Sequence, residues 1–209
     1  MKSTFIWVIV CTAIGAGAYY GGAHYGSGNC ISSERCTLRT GMRKLWSDHV
    51  WWTRDYIIAA VADAPDLKAA TDRLLKNQED IGSAVASYYG KEAGEKLTAL
   101  LKEHILIAAE VVSAAKANDS GSLKTADEKW HVNADAIALF LSKANPHWSN
   151  SEMQDMMYKH LKLTTEETVA RLKKDWVGDV QTFDKVFDEI MMMADMLTAG
   201  IAQQFPEKF

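Results

Sequence analysis

The sequence predicts an all-α protein, a helical bundle of about six helices built as three helical hairpins and preceded by an N-terminal apolar helix. The chain has 209 residues, enough for one domain with a core and an appendage, and it contains only three prolines. From Met42 onward, apolar residues recur at the spacing of an amphipathic helix. The predicted breaks recur with a period of about 55–56 residues, from Pro65 to Ser120 and from Gly90 to Pro146.

The N-terminal segment, residues 1–23, is predicted to be a transmembrane anchor or a signal peptide. Residues 4–23 carry no charge, and about 20 such residues cross a bilayer. Tyr19 fits an interfacial aromatic belt, which favours an uncleaved anchor, whereas the small residues 16–18 satisfy a signal-peptide cleavage rule. Both interpretations place the helical body on the cell-envelope or periplasmic side, either membrane-anchored through residues 4–23 or exported.

Residues 24–40 read as a polar linker rich in glycine and serine. Cys30 and Cys36 are separated by five residues and would form a local disulfide if the segment is extracytoplasmic. Two free thiols are the alternative. A metal pair is less favoured because no second cysteine or Cys/His pair completes it.

The helical bundle is predicted over residues 41–209, with each hairpin bounded by its own break. Gly90 suits a left-handed helix terminator, and Pro146 ends the second hairpin. The predicted helices and turns are, in order, a helix 41–61, a turn 62–66, a helix 67–89, a helix 91–117, a turn 118–121, a helix 122–143, and a third hairpin from Ser149 that bends near 176–178 and returns to about Gln204.

Three histidines keep the same period. His104 follows His49 by 55 residues and His160 follows His104 by 56, so each falls on the outgoing helix of its hairpin. Residues equidistant from a turn lie at the same height, because both helices rise about 1.5 Å per residue. The histidines are therefore expected to share one layer with polar residues of the returning helices. Those residues are Asn77, Asp80, Asn133, Asp135 and Asp195.

Two interpretations of this layer stay open. Neutral imidazoles with one or two aspartates suit zinc, iron or copper. The candidate metal ligands are His49, His104, His160, Asp80, Asp135 and Asp195, with Asn77 and Asn133 as supporting polar residues. The other interpretation is structural, with each histidine paired to Asn or Asp across its own hairpin. None of these three histidines stands in the Glu-x-x-His spacing of ferritin-like di-iron bundles, which argues against a metal of that kind.

Haem and copper sites are weaker candidates. A haem held by two of the histidines has no Cys-x-x-Cys-His motif for covalent attachment, and the methionines at 191–193 are more typical of core packing than of copper ligation. Asp184, Asp188 and Glu189 are interpreted as part of a solvated helix face.

The composition argues against several classes of function. The formal net charge of −4 is spread out and forms no basic stripe, so nucleic acid is not an expected partner. No glycine-rich phosphate loop follows a strand, and no serine or cysteine nucleophile has an evident histidine and acid partner. The sequence thus favours binding or interaction over catalysis: a membrane-tethered or exported module that meets a protein partner or small ligand, or alternatively a metal- or cofactor-binding bundle.

Several motifs occur in order between residue 45 and the C-terminus. They are LWSDHVWWTR at 45–54, LLKNQEDIG at 74–82, YYG at 88–90, LTALLKEHI at 97–105, NAD at 133–135 and ANPHW at 144–148. In these motifs the chain resembles a family of small, uncharacterised all-helical proteins found mainly in bacteria. The resemblance implies the helical fold and offers no mechanism. It also implies that the N-terminal segment is an addition that tethers or exports a common module.

Overall fold

The computed structural model describes residues 32–209, which fold into six α-helices and a short 3-10 turn and contain no strand. The predicted all-α bundle is confirmed, and most of the predicted helix bounds agree within a few residues. The helices are α1 (Ser33–Ala62), α2 (Leu67–Tyr89), α3 (Lys91–Lys116), α4 (Ser120–Ala144), α5 (Asn150–Leu172) and α6 (Trp176–Gln204), with the 3-10 turn at Pro206–Lys208.

Two bounds differ from the prediction. The third turn lies at residues 173–175 rather than near 176–178, because Lys174 takes the left-handed conformation and Asp175 caps α6 by accepting from the Gly178 amide. Helix α1 begins at Ser33, so residues 33–40 of the predicted linker are helical. The Ser32 hydroxyl accepts from the Arg35 amide at 3.1 Å and caps the helix.

The predicted apolar segment, residues 1–23, lies outside the described residues. Within residues 32–209, no helix has a sufficiently long, uncharged apolar stretch to cross a bilayer. Cys36 is disulfide-bonded, and the other two cysteines, Cys11 and Cys30, both fall outside the described range. The specific pairing of Cys30 with Cys36 therefore stays a prediction.

The six helices form a closed ring. Each packs against the next in sequence, and α6 closes the ring by packing against α1. Short connections make sequential neighbours antiparallel. The odd-numbered helices α1, α3 and α5 also approach one another in the interior. Side chains that point inward from these three helices consequently meet at the axis of the ring.

One end of the ring is closed by a hydrogen-bonded group that we call the roof, made of Tyr89, Asn145 and Gln204. The Tyr89 hydroxyl accepts from Asn145 Nδ2 at 2.8 Å and donates to Gln204 Oε1 at 3.0 Å. Gln204 Nε2 donates to the Ala144 carbonyl at 3.2 Å. The roof joins α2, the end of α4 and the end of α6, on the side of the ring away from the three hairpin turns.

Helices α2 and α3 approach closely at two glycines. A Cβ atom on Gly94 would lie 2.5 Å from the Gly82 carbonyl oxygen and 2.6 Å from the Ala86 Cβ. The carbonyl belongs to the helix backbone and cannot move aside, so this contact requires glycine. By contrast, a Cβ on Gly41 of α1 would meet nothing within 4 Å.

We therefore expect opposite effects from two glycine-to-alanine variants in helix interiors. Gly41→Ala should raise the free energy of unfolding by about 0.5–1 kcal/mol, because alanine is the better helix former. Gly94→Ala gains the same helix propensity but forces α2 and α3 apart. This variant should therefore lower the free energy of unfolding by about 1–3 kcal/mol. Urea unfolding of both variants measures the difference. A stabilised Gly94→Ala would contradict the packing described here.

Candidate functional site

The structure brings the three predicted histidines together at the axis of the ring. His49 on α1, His104 on α3 and His160 on α5 are each only 3–4% exposed. The His160 ring lies between the other two, with its centroid 5.7 Å from that of His49 and 6.3 Å from that of His104. The expectation of a shared layer therefore holds for the histidines, and we call the three rings with their hydrogen-bond partners the histidine layer.

Each histidine is also bonded within its own hairpin, through Nδ1. His49 Nδ1 lies 3.3 Å from Gln78 Nε2, His104 Nδ1 lies 2.9 Å from Asn133 Oδ1, and His160 Nδ1 lies 3.2 Å from Glu189 Oε2. In all three cases the partner follows the histidine by 29 residues. The structural interpretation therefore holds in that each histidine is paired across its own hairpin, although only Asn133 is a partner of the predicted type. Metal binding stays a prediction.

The hydrogen-bond network assigns the proton of His104 to Nδ1. Asn133 Nδ2 donates to the Leu100 carbonyl at 3.2 Å and to Glu103 Oε2 at 3.0 Å, which leaves Asn133 Oδ1 as the acceptor facing His104. His104 Nε2 is then an acceptor, and Trp130 Nε1 donates to it at 3.2 Å. Both nitrogens of His104 are satisfied.

His49 and His160 also meet their partners through Nδ1. Gln78 Nε2 donates to the Leu74 carbonyl at 2.8 Å and to Asn77 Oδ1 at 3.2 Å, and it lies 3.3 Å from His49 Nδ1. His160 Nδ1 lies 3.2 Å from Glu189 Oε2, a contact that is an ion pair when His160 is protonated. Neither Nε2 has a hydrogen-bond partner among residues 32–209.

Burial keeps two of the rings neutral. It lowers the pKa of His49 well below its ordinary value, and the neighbouring His160 and His104 lower it further. Burial, with His160 nearby, likewise lowers the pKa of His104 to about 3. At neutral pH both imidazoles are uncharged, which is the state that binds metals.

The histidine layer forms the floor of an apolar chamber that extends toward the roof. The chamber has a volume of about 20 Å³, and a water molecule needs about 10–15 Å³ on the same measure. It therefore has room for one water-sized species. Its walls are the three histidines with Met42, Trp46, Val85, Leu97, Leu101, Ile137, Leu141, Trp148, Met157, Met193, Leu197 and Ile201.

Polar atoms without a partner are concentrated around this chamber. In the described part of the chain, four such buried atoms belong to the layer or the chamber wall: Trp46 Nε1, Gln78 Oε1, Trp148 Nε1 and Glu189 Oε1. Each unsatisfied buried group costs about 1–3 kcal/mol. Such groups call for an explanation, and a bound water or ion is one that the site itself suggests.

The three aspartates of the predicted ligand set do not join the histidines, which corrects that prediction. Asp80 pairs with Lys76 at 3.0 Å, and Asp135 accepts from Gln154 and Tyr158. Asp195 is held on the outside of the ring between Arg39 and Arg43, with N–O distances of 2.8–3.0 Å. Among residues 32–209 no group of three His, Cys, Asp or Glu side chains is arranged to hold a metal ion.

The physical reason is helical rotation. Asp80 and Asp135 follow their histidines by 31 residues rather than 29. Two residues change the height by only about 3 Å but turn the side chain by about 200° to the opposite face of the helix. The two asparagines that were predicted to support the layer do lie in or beside it. Asn133 binds His104, and Asn77 is fully buried beside Gln78, with its Nδ2 donating to the Leu45 carbonyl at 3.0 Å.

Two members of the layer were missed from the sequence. Gln78 was passed over for its neighbours, and Glu189 was assigned to a solvated face although it is only 2% exposed. A signal was present: a polar residue able to hydrogen bond follows each histidine by the same 29 residues. Requiring one spacing in all three hairpins would have selected both.

A second buried polar group lies nearer the hairpin turns and was not predicted. Arg54 Nη1 contacts Glu167 Oε1 at 2.5 Å and Asp179 Oδ1 at 2.9 Å, while Arg171 Nη1 reaches Asp179 Oδ2 at 3.2 Å. Burial raises the pKa of Glu167 to about 7, although Arg54 opposes the shift. Two arginines and two acids compensate one another here. We therefore interpret this group as a set of structural ion pairs that holds α1, α5 and α6 together.

Comparison with known proteins gives no further guide: the chain matches no protein-family model, no curated protein and no solved structure. The function must therefore be argued from the site.

The lowered pKa of His104 predicts a loss of stability in acid. The unfolded state takes up the proton near pH 6.5, whereas the folded state takes it up only at about pH 3. This contribution is therefore present in full above pH 6.5 and is lost as the pH falls toward 3, at up to about 1.4 kcal/mol per pH unit. Urea unfolding of the wild type and His104→Gln at pH 7, 6 and 5 should show a steeper decline in the wild type. Carboxylates titrate in both proteins, so parallel declines would contradict the assignment.

Proposed function

We propose that the bundle is a binding protein rather than an enzyme and that its ligand is a single divalent transition-metal ion, zinc, iron or copper, bound at the histidine layer. One observation carries the proposal: three imidazoles from three hairpins meet at the axis, beside a chamber with room for one water-sized species. Imidazole is a ligand that suits all three metals.

The spacing of the rings supports this proposal. Zn–N bonds of about 2.0–2.1 Å place the centroids of two ligating imidazoles about 5 Å apart. The separations of the His160 ring from His49, 5.7 Å, and from His104, 6.3 Å, exceed this by about 1 Å, so the three side chains would have to move toward one another to share an ion, because in the structure no three such groups among residues 32–209 are arranged to hold one. The Nδ1 contacts to Asn133 and Glu189 are of the kind that orients metal-ligating histidines from their outer side.

Two local changes would accompany binding. His104 Nε2 would exchange the Trp130 N–H for the metal. His49 and His160 would each present an Nε2 lone pair to the ion, with Nδ1 kept toward Gln78 and Glu189.

The size of the chamber supports binding over catalysis. About 20 Å³ accommodates an ion or a water but leaves no room for a substrate beside it. The rings are also closed off from solvent. A catalytic metal needs an open coordination position that a substrate can reach, and the chamber offers none.

We also propose, as the sequence indicated, that the module is exported or membrane-anchored through residues 4–23. The disulfide at Cys36 supports this, because disulfides persist mainly in oxidising compartments. The common 29-residue spacing in the three hairpins likewise supports the proposal that they are degenerate copies of one unit.

A second candidate function, interaction with a protein partner, is favoured by an exposed surface at the junction of α1 and α6. We call it the tryptophan face: Trp51, Trp176, Val177 and Val180, each 52–68% exposed. The Trp51 ring on α1 packs 4.7 Å from the ring of Phe183, which follows Val180 by three residues on α6. Exposed apolar surface of this kind marks interaction sites, and tryptophan is enriched at their energetic centres. The occupant would be an apolar surface of another protein.

Metal binding is tested on the full chain, purified without chelator or affinity-tag metal. We expect near-stoichiometric zinc, iron or copper by elemental mass spectrometry, and its loss in His160→Gln, because the His160 ring faces both others. His131→Gln, a change in a half-exposed surface histidine, should keep the metal. A metal-free wild type whose melting temperature does not respond to added Zn²⁺, Fe²⁺ or Cu²⁺ would leave the layer as a hydrated structural pairing.

The tryptophan face is tested by placing a photo-crosslinking amino acid at position 51 in cells. We expect one discrete adduct that is absent when the crosslinker is at position 124, whose lysine is 79% exposed on α4. Val180→Asp should remove the adduct by introducing a charge into the face. An adduct of twice the chain mass would identify a second copy, and an adduct that survives Val180→Asp would contradict the assignment.

A further inference from the structure

The exposed surface along α6 changes from basic to acidic across the tryptophan face. Two lysines of the preceding turn, two valines and two aspartates follow one another there, all of them exposed: Lys173, Lys174, Val177, Val180, Asp184 and Asp188. The valines and aspartates recur every three or four residues, so they share one side of the helix. Asp195, seven residues beyond Asp188 on the same side, binds Arg39 and Arg43, so this side borders α1. We call the two lysines the basic end of the face and the two aspartates its acidic end.

The neighbouring charges of opposite sign are turned away or already used. Lys185 is the only basic residue of α6. It lies one turn before Glu189, which contacts His160 on α5, so the lysine lies on the side of the helix toward α5. Asp175, next to the basic end, caps α6 by accepting from the Gly178 amide. The two ends therefore keep opposite charges.

The charges at both ends have no partner within the described part of the chain. Among residues 32–209 none of these four side chains takes part in a side-chain hydrogen bond or an ion pair. Exposed acids elsewhere can have a lysine one turn earlier, as Asp72 has Lys68. Asp184 and Asp188 are instead four residues apart from each other, and like charges at that spacing destabilise a helix. Both ends are therefore free to meet the charges of another molecule.

A two-fold axis across α6 at Val180 would match the two ends of the face. The lysines lie six and seven residues before Val180, and the aspartates lie four and eight residues after it. In an antiparallel contact, residues equally far from the axis lie at the same height. At about 1.5 Å per residue, the basic end of one copy falls within about 3 Å of the height of the acidic end of the other. The pattern of charge on this face is therefore complementary to itself.

The same axis would bring tryptophans together across the contact. Trp51 packs 4.7 Å from Phe183 and 6.4 Å from Phe187, so its ring lies at the height of residues three to seven beyond Val180. Trp176 lies four residues before Val180. Trp51 of one copy would therefore meet Trp176 of the other, and aromatic side chains of this kind dominate the energetics of interfaces. A parallel contact would instead set lysines against lysines and aspartates against aspartates, which is unfavourable.

We propose that the tryptophan face is the interface of a homodimer in which the α6 helices of two copies pack antiparallel about Val180. The inference rests on the second proposed function, interaction through this face, and names a second copy of this chain as the partner. A two-fold interface uses the same patch on both copies and must be complementary to itself. The face meets this requirement in its charges as well as in its apolar middle.

The test places the photo-crosslinking amino acid at position 51 of the full chain in cells. We expect an adduct of twice the chain mass whose crosslink, mapped by mass spectrometry, joins position 51 of one copy to the segment around Trp176 of the other. Reversal of the basic end by Lys173→Glu with Lys174→Glu should lower the yield at least about tenfold, because it sets like charges against each other. Asp184→Lys with Asp188→Lys should do the same at the acidic end. All four changes in one chain should restore the adduct.

Glu92→Lys with Asp155→Lys is the matched control, because it reverses two exposed acids on α3 and α5 and should leave the yield unchanged. No adduct from position 51 would reject the tryptophan face as an interaction surface, and the homodimer with it. An adduct with a different protein would keep that function and overturn only the homodimer. A doubled adduct that ignores the charge reversals, that the combined variant fails to restore, or that maps to the segment around Phe183 would overturn the antiparallel pairing.

Discussion

The interior of this bundle depends on one repeated constraint, a hydrogen-bond contact between the Nδ1 of a histidine and a side chain 29 residues later on the returning helix. A slip of one residue between the two helices would change the height by about 1.5 Å and the direction by about 100°, and would break the contact. The contact therefore fixes the register of each hairpin. Because α6 closes against α1, three hairpins in register carry their rings to the same point on the axis. The chamber above the rings follows from that meeting.

The distribution of unsatisfied atoms separates the histidine layer from the rest of the polar interior. The roof hydrogen bonds are complete from Ala144 through Gln204 and Tyr89 to Asn145, and the Arg54 group pairs its acids with arginines. Within the described residues, four of the six buried polar atoms without a partner lie in the layer or the chamber wall. Natural proteins satisfy the polar groups of a structural core, and exceptions are concentrated at functional sites. The layer and the chamber wall are therefore where the described residues leave most of their buried hydrogen-bonding capacity unused.

The fold was largely readable from the sequence, because turn residues and a 55–56-residue period mark the helix ends directly. Heights in the layer were readable too, since they depend only on counting from the turns. The direction of each side chain was harder to predict. Asp80 and Gln78 differ by about 3 Å in height but point to opposite faces of α2. The charge of Asp80 made it the favoured candidate, although it is Gln78 that faces His49. The start of α1 was missed for a related reason. Residues 33–40 are mostly polar, and what keeps them in the fold is the Ser32 cap, the burial of Leu38 and the pairing of Arg39 with Asp195, a contact 156 residues away.

The third hairpin carries two separate groups of buried charged and polar side chains on one pair of helices. Glu167 and His160 lie on α5, with Asp179 and Glu189 on α6. Nearer the turns, α1 supplies Arg54 to offset Glu167 and Asp179, so that group is complete within the chain itself. At the axis α1 supplies His49 instead, which burial keeps neutral, and Glu189 faces His160 Nδ1 at 3.2 Å. Within residues 32–209 the same two helices therefore carry one pair of buried acids offset by arginines and another buried acid whose polar contact is a histidine of the layer.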